Sequence, residues 1–200
     1  MVKKHLFIAL EALDGVGKST VIRLLGQNSN IRIFTTPSNL FKPLRKLFDC
    51  VDKRLRFIFY LTSVIYASER IKRWIKEKPV VCNRYLLSTL SAHQARDVSE
   101  KWFTLMNPII KRVYPPDYTI LLGCNEAVRL QRLKERKLTR SDRENLRRGI
   151  SRQIFIGYKK WANELGYKLI KIDTTHLSPL QVKDQIVKTI TDNQLLKIKR

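Results

Sequence analysis

The stretch "IALEALDGVGKSTVIRLL", Ile8 to Leu25, decides how the chain is read. An apolar run ends in a turn with two glycines, and Gly-Lys-Ser then opens a pattern with helical spacing. A strand, a glycine-containing turn and a helix start form the setting a phosphate-binding loop requires. Gly15 and Gly17 let backbone N–H groups turn inward toward phosphate oxygens. The helix starting near Lys18 adds unpaired N–H donors and the positive end of its dipole. In such a loop Lys18 neutralises β/γ-phosphate oxygens and the Ser19 hydroxyl holds Mg²⁺. The short pattern alone arises by chance in about 1–2% of chains this long, and the flanking strand and helix lower that further. Ala12 occupies a position where glycine is usual, which is harmless if its φ is negative.

Outward from this loop, 200 residues point to one domain over 1–200, large enough for a real core. The opening apolar run stops at Glu11 and reads as a first strand rather than a signal peptide. The longest apolar run, "FIFYLTSVIYA" at 57–67, is too short to span a bilayer. Cys50, Cys82 and Cys124 lack CxxC spacing and are odd in number, against a disulfide framework or zinc site. The expectation is a soluble, cytoplasmic protein with no membrane partner.

Forty Lys and Arg against seventeen Asp and Glu give a net charge of +23. Such a field attracts nucleotides, nucleic acid or acidic lipid. Between Arg129 and Arg152 stand ten basic and three acidic residues, a focused patch.

Short apolar runs at 6–10, 31–36, 79–83, 118–123 and 167–173 read as strands covered on both faces. Helical patterns fall between them at about 18–28, 40–49, 53–78, 86–112, 126–138, 142–165 and 179–198. Alternating β and α elements predict an α/β fold with a parallel sheet. The helix at 53–78 is apolar over a wide arc, so it is either central or part of a subunit contact.

"FIALEALDGVGKST" resembles the opening of the thymidylate kinase family, a strand followed by Glu-Gly-x-Asp-Gly-x-Gly-Lys-Ser/Thr. The likeness continues through "YASERIKRWIKEKPVVCNRYLLSTLSAHQ", "PPDYTILLGCNEAVRLQRLKER" and "SDRENLRRG", in the right order over most of the chain. It implies a P-loop NMP-kinase-like fold: a five-stranded parallel sheet, helices on both faces and a small basic lid at about 134–147. The implied reaction is direct transfer of the γ-phosphoryl group of ATP to dTMP, with Mg²⁺ as cofactor.

The resemblance also distributes roles. ATP would be held by Ala12, Leu13, Asp14, Gly15, Val16, Gly17, Lys18, Ser19 and Thr20, with Arg132 near the adenine. Tyr66 and Arg70, four apart on one helical face, match the aromatic that stacks on thymine and the arginine that bonds its edge. Arg84, in Asn83-Arg84-Tyr85, matches the arginine that grips the acceptor phosphate as a bidentate fork. Arg45 resembles a second phosphate arginine, and Asp14, Pro37 and Gln94 complete the acceptor side. His93 is taken as a surface histidine. The loop offers no arginine at 15 or 16, so Arg136, Arg140 and Arg143 in the lid join Lys18 and Arg84 as catalytic cations.

Neutral residues stand at Thr36, Asn83 and Gly123, where the family carries acidic groups. Asn83 keeps an oxygen but loses charge, which weakens metal affinity. The family's habit implies a homodimer. Two other readings stay open: a relative with another deoxynucleotide or a deoxynucleoside as acceptor, and a catalytically weak relative that binds nucleotide or nucleic acid through its charge.

Overall fold

The computed structural model describes residues 5–135, 137–138, 142–143, 146 and 149–198, with side chains to residue 192. Five strands form one parallel sheet: β1 (Phe7–Ala12), β2 (Arg32–Thr35), β3 (Val80–Asn83), β4 (Tyr118–Gly123) and β5 (Leu169–Asp173). Their spatial order is β2-β3-β1-β4-β5, and every pairing is parallel. The helices between them are α1 (Lys18–Leu25), α2 (Lys42–Phe48), α3 (Lys53–Trp74), α4 (Leu86–Gln94), α5 (Glu100–Ile110), α6 (Glu126–Lys134), α7 (Ile150–Glu164) and α8 (Pro179–Ile198).

β1 explains why the sheet needs two covers. All six of its residues are buried, and the period-two alternation of a strand divides them. Phe7 and Ala9 join a core with Phe57, Leu61, Val64 and Ile71 of α3, Leu90 of α4 and Tyr158 of α7. Ile8, Leu10 and Ala12 join a second core with Val21 and Leu25 of α1 and Val182 and Ile186 of α8. Each fully buried aliphatic or aromatic side chain adds about 1.5–3 kcal/mol. With β1 central, the turn after it opens at the carboxyl ends of the strands, where parallel α/β sheets hold ligands.

The wide apolar arc of α3 is consumed by this core, since Phe57, Leu61, Val64 and Ile71 are buried within the chain itself. What stays exposed nearby is Leu55 together with Leu44 and Leu47 of α2.

The helix expected over 86–112 is two helices. Asp97 sits at φ 60° between them, a left-handed conformation that no helix continues through. α7 meets α4 at close range: a Cβ on Gly157 would stand 2.9 Å from the Ser91 Cβ. The missing side chain lets the two helices approach, and it brings Tyr158 against Ser88.

Candidate functional site

The loop after β1 has the backbone its glycines foretell. Gly15 and Gly17 lie at φ 92° and 89°, and Gly17 is the N-cap of α1. Gly15 is also sterically fixed, because a Cβ there would lie 2.8 Å from Leu133 Cγ and 2.9 Å from the Arg129 carbonyl oxygen. Ala12 is a buried strand residue outside the positive-φ positions, so a methyl group is tolerated there.

Lys18 turns back over the sheet and donates to Asn83 Oδ1 at 2.5 Å. Burial, reinforced by the Arg84 charge, pushes its ammonium down to about 7 from an ordinary 10.5. A phosphate arriving here meets a cation with little competing solvent.

Arg84 follows β3 at φ 63°, a strained conformation for a side-chain-bearing residue. Its backbone is held on both sides: its N–H donates to the Leu10 carbonyl at 2.9 Å, and its carbonyl accepts from Thr36 Oγ1 at 2.9 Å. The guanidinium points back over the loop, donating to the Asp14 carboxylate and, at 3.4 Å, to the Ala12 carbonyl. Asn83 Nδ2 donates to Thr35 Oγ1 at 3.3 Å. The neutral residues Thr35, Thr36 and Asn83 thus form a connected set around Lys18 and Arg84.

Glu11 carries a role the sequence did not announce. It is fully buried on the α4 face of β1, and burial raises its carboxyl above the ordinary range. Its carboxylate accepts from the backbone N–H of Tyr85 at 2.9 Å and of Ser88 at 3.2 Å, and from the Ser88 hydroxyl. A strand carboxylate therefore caps α4 from outside the helix, satisfying donors left open in its first turn.

Two cavities meet at Lys18. One, of about 390 Å³, runs along residues 13–21 to Arg132, Thr174 and Pro179. Arg132 is steered there by bonds to Thr174, at 3.4 Å to Oγ1 and 3.1 Å to the carbonyl. The other, of about 300 Å³, is lined on its polar side by Arg45, Arg56, Arg84 and Arg96, with Thr36, Pro37, Tyr60 and His93. Leu13, Asp14, Lys18 and Ser19 line both.

Of the acceptor residues expected from the sequence, Asp14, Pro37, Arg45 and Arg84 border the second cavity. Arg45 Nε donates to the Tyr60 hydroxyl at 3.1 Å. Tyr66 and Arg70 do not border it. They occupy a neighbouring strip of α3, where Tyr66 packs on Phe41 and Arg70 lies 5.9 Å from the Tyr66 ring and 5.0 Å from that of Trp74.

Gln94 does not border it either, because both ends of its amide are taken elsewhere. Its nitrogen donates to Glu100 at 2.8 Å and its oxygen accepts from Trp161 Nε1 at 2.9 Å. His93, expected at the surface, is instead only 5% exposed and lines the cavity. A helix turns 100° per residue, so of two adjacent positions only one faces inward.

Arg143 is exposed and borders neither of these cavities. Arg136 and Arg140, with much of the expected lid, lie outside the described residues. Sequence reasoning also passed over Arg56 and Arg96, whose spacing carries no motif. It saw Arg129 only as part of a patch, yet that side chain is 2% exposed and ties the Asp14 carbonyl to Glu126.

A metal could rest on Ser19, whose exposed side chain stands where the two cavities join. Among the described residues no cluster of three His, Cys, Asp or Glu offers a protein cage. The donor set thus offers a divalent cation one hydroxyl oxygen and leaves its other positions to ligand and water oxygens. No described helix is long and apolar enough to cross a membrane.

The pattern of the family described as thymidylate kinase matches residues 10–186. A probable thymidylate kinase of Methanocaldococcus jannaschii is 27% identical over 188 residues, covering 92% of this chain and 94% of its own. One from Thermoplasma acidophilum is 30% identical over 171 residues, covering 77% and 84%. Among solved structures, thymidylate kinase from Candida albicans superposes with a TM-score of 0.74 at 18% identity, over 97% of this chain and 94% of that one. The Ehrlichia chaffeensis enzyme gives 0.65 at 19% identity, over 92% and 97%. A family match running from within β1 into α8 takes in both cavities and the loop between them, and this chain belongs to the thymidylate kinase family.

Proposed function

We propose that the protein transfers the γ-phosphoryl group of ATP to dTMP, giving ADP and dTDP. The observation that carries this reading is the meeting of two cavities at Lys18 and Ser19. The one along the loop has donors for a triphosphate, with Arg132 at its far end for the nucleoside. The other presents Arg84 and Arg45 to the acceptor's phosphate. An acceptor oxygen placed there faces the γ-phosphorus across Lys18, the arrangement in-line displacement needs.

Lys18 bears on the charge of the transferring group, and Arg84 orients the acceptor oxygens. Arg84 is paired with Asp14, so a phosphate binds by competing for or sharing its guanidinium face. Ser19 would be the protein's donor to Mg²⁺, which would supply Lewis-acid neutralisation of phosphate charge when bound. Tyr66 and Arg70 serve the base end in this reading, and Arg136, Arg140 and Arg143 supply further positive charge to the phosphates. A homodimer would cover Leu44, Leu47 and Leu55; light scattering of the purified protein decides this by mass.

The test is ADP release with Mg·ATP and a panel of dTMP, dUMP, dCMP, dGMP, AMP and thymidine, with Lys18→Ala alongside. Turnover led by dTMP and abolished in the variant is expected. No turnover with any acceptor, from folded protein that binds ATP, would sink the reading.

A further inference from the structure

Three alternate carbonyl groups of the glycine loop are each taken by side chains from another part of the chain. Ala12 accepts from the Tyr158 hydroxyl at 3.2 Å and from Arg84 at 3.4 Å. Asp14 accepts from Arg129 Nη1 at 3.2 Å. Val16 accepts from Thr174 Oγ1 at 3.1 Å. A phosphate has no use for these oxygens, because it too offers acceptors.

Their value lies in the group on the other side of each peptide. A trans peptide is planar, with its C=O and the N–H of the following residue pointing in opposite directions. With the Asp14 oxygen fixed against Arg129, the Gly15 N–H turns away from α6. With the Val16 oxygen fixed against Thr174, the Gly17 N–H turns away from the end of β5. Among the described residues, the N–H groups of Gly15, Val16 and Gly17 find no backbone carbonyl, and α1 has no side-chain cap. Residues 13–21 line the cavity along the loop, so these donors stand beside the space a triphosphate would enter.

Both holders are themselves held. Arg129 forks onto Glu126, at 2.8 Å from Nε and 2.6 Å from Nη2, and reaches Ser151 Oγ at 3.3 Å. A charged donor also polarises the peptide it bonds, which strengthens the Gly15 N–H as well as aiming it. Thr174 is 2% exposed, and its hydroxyl accepts from Arg132 at 3.4 Å while it donates to Val16. Glycine peptides left unheld would sample many orientations, and ordering them would weaken binding.

We propose that Arg129 and Thr174 are positioning residues of the loop: by holding the Asp14 and Val16 carbonyls, they aim the Gly15 and Gly17 N–H groups at a bound triphosphate. The assignment deepens the reading of the cavity along the loop as the ATP site and rests on it. Neither side chain has to touch a phosphate to do this.

The experiment uses inorganic tripolyphosphate, which has no base for Arg132 to meet. Its affinity and the amide signals of Gly15 and Gly17 are followed in the native protein, in Thr174→Val, in Thr174→Ser and in Arg129→Met combined with Glu126→Ala. The combined change removes an ion pair together and leaves the local net charge as it was. Thr174→Val should weaken tripolyphosphate about tenfold, the effect of losing one hydrogen bond; Thr174→Ser, which keeps the hydroxyl, should restore it. In the native protein both glycine amides should shift downfield on binding. The Gly17 shift should collapse in Thr174→Val and the Gly15 shift in the combined variant, each with the other retained. Glu126→Ala alone, at a side chain 62% exposed, frees the guanidinium and should diminish the Gly15 shift, which decides on Arg129 if the combined variant does not fold. Native affinity in Thr174→Val, or losses that strike both glycines alike, overturns the assignment. Binding of ATP and tripolyphosphate without phosphoryl transfer would sink the kinase reading alone and leave the glycine signals to decide. No binding of either by the native protein overturns both.

Discussion

Lys18 Nζ reaches Asn83 Oδ1 at 2.5 Å, so the lysine of the glycine loop rests on a neutral amide at the end of β3. Where a carboxylate would hold the ammonium protonated, the amide supplies an acceptor without charge. The lysine is therefore easier to discharge in the free protein and freer to move to a phosphate. On the proposed reading of Ser19 as a metal donor, Asn83→Asp, in the same cavity wall, should tighten Mg²⁺ about tenfold, the effect of one added charge, and should raise the lysine's pKa. A Mg²⁺ titration of turnover at fixed ATP checks the first, and an unchanged half-saturating concentration would refute it.

The depressed lysine gives a proton-linked signature. With its pKa at about 7 in the folded protein and 10.5 ordinarily, the unfolded chain binds more protons between these values. This group therefore makes stability rise with pH from about 7 to 10.5 and adds no pH dependence well below that window. ATP phosphates restore the positive charge, so binding at pH 8.5 should take up close to one proton. Calorimetry in two buffers of different ionisation heat measures it. Zero uptake would mean that the lysine is already charged.

Removing the same side chain should separate function from stability. Lys18→Met should lower turnover by about 10²-fold or more, as loss of a preorganised cation does. It should also raise the unfolding midpoint at pH 6, where the buried ammonium is charged at a cost. A fall in both would show that the lysine supports the fold.

Glu11 yields a third contrast. Glu11→Ala strands the Tyr85 and Ser88 donors at the start of α4 and should cost about 3 kcal/mol. Glu11→Gln keeps an acceptor for the two backbone groups and should cost under about 1 kcal/mol. Because the folded carboxyl titrates above its ordinary value, its favourable contribution is present at acid pH and is lost as pH rises through the folded value. Glu11→Gln should remove that component. Urea midpoints at pH 4 and pH 7 give both quantities.

Much of the fold was legible because the five strand cores are short, apolar and separated by helical patterns; each observed strand overlaps its expected run. The geometry of the glycine loop was legible because it is local: Gly15 and Gly17 take positive φ and Lys18 opens α1 within one turn. What sequence concealed was orientation across distance. Whether His93 or Gln94 faces the cavity depends on the rotation of α4, which Glu11 and the α7 contact fix from elsewhere in the chain. Tyr66 and Arg70 have the right mutual spacing, yet spacing does not say which strip of α3 meets the cavity. The break between α4 and α5 turned on Asp97, a residue that tolerates a left-handed conformation but does not demand one.

The bare backbone of Gly157 against Ser91 has a mechanical meaning. With no side chain between them to act as a bearing, α4 and α7 cannot slide past one another without collision. α7 begins at Ile150, directly after the basic segment, and α4 carries Thr89 and His93. Thr89 and His93 of α4 and Ile154 and Tyr158 of α7 border the same cavity, so the paired helices are geared to move as one wall of it. Gly157→Ala, which forces the pair apart, would loosen that gearing while leaving both cavities lined by the same residues.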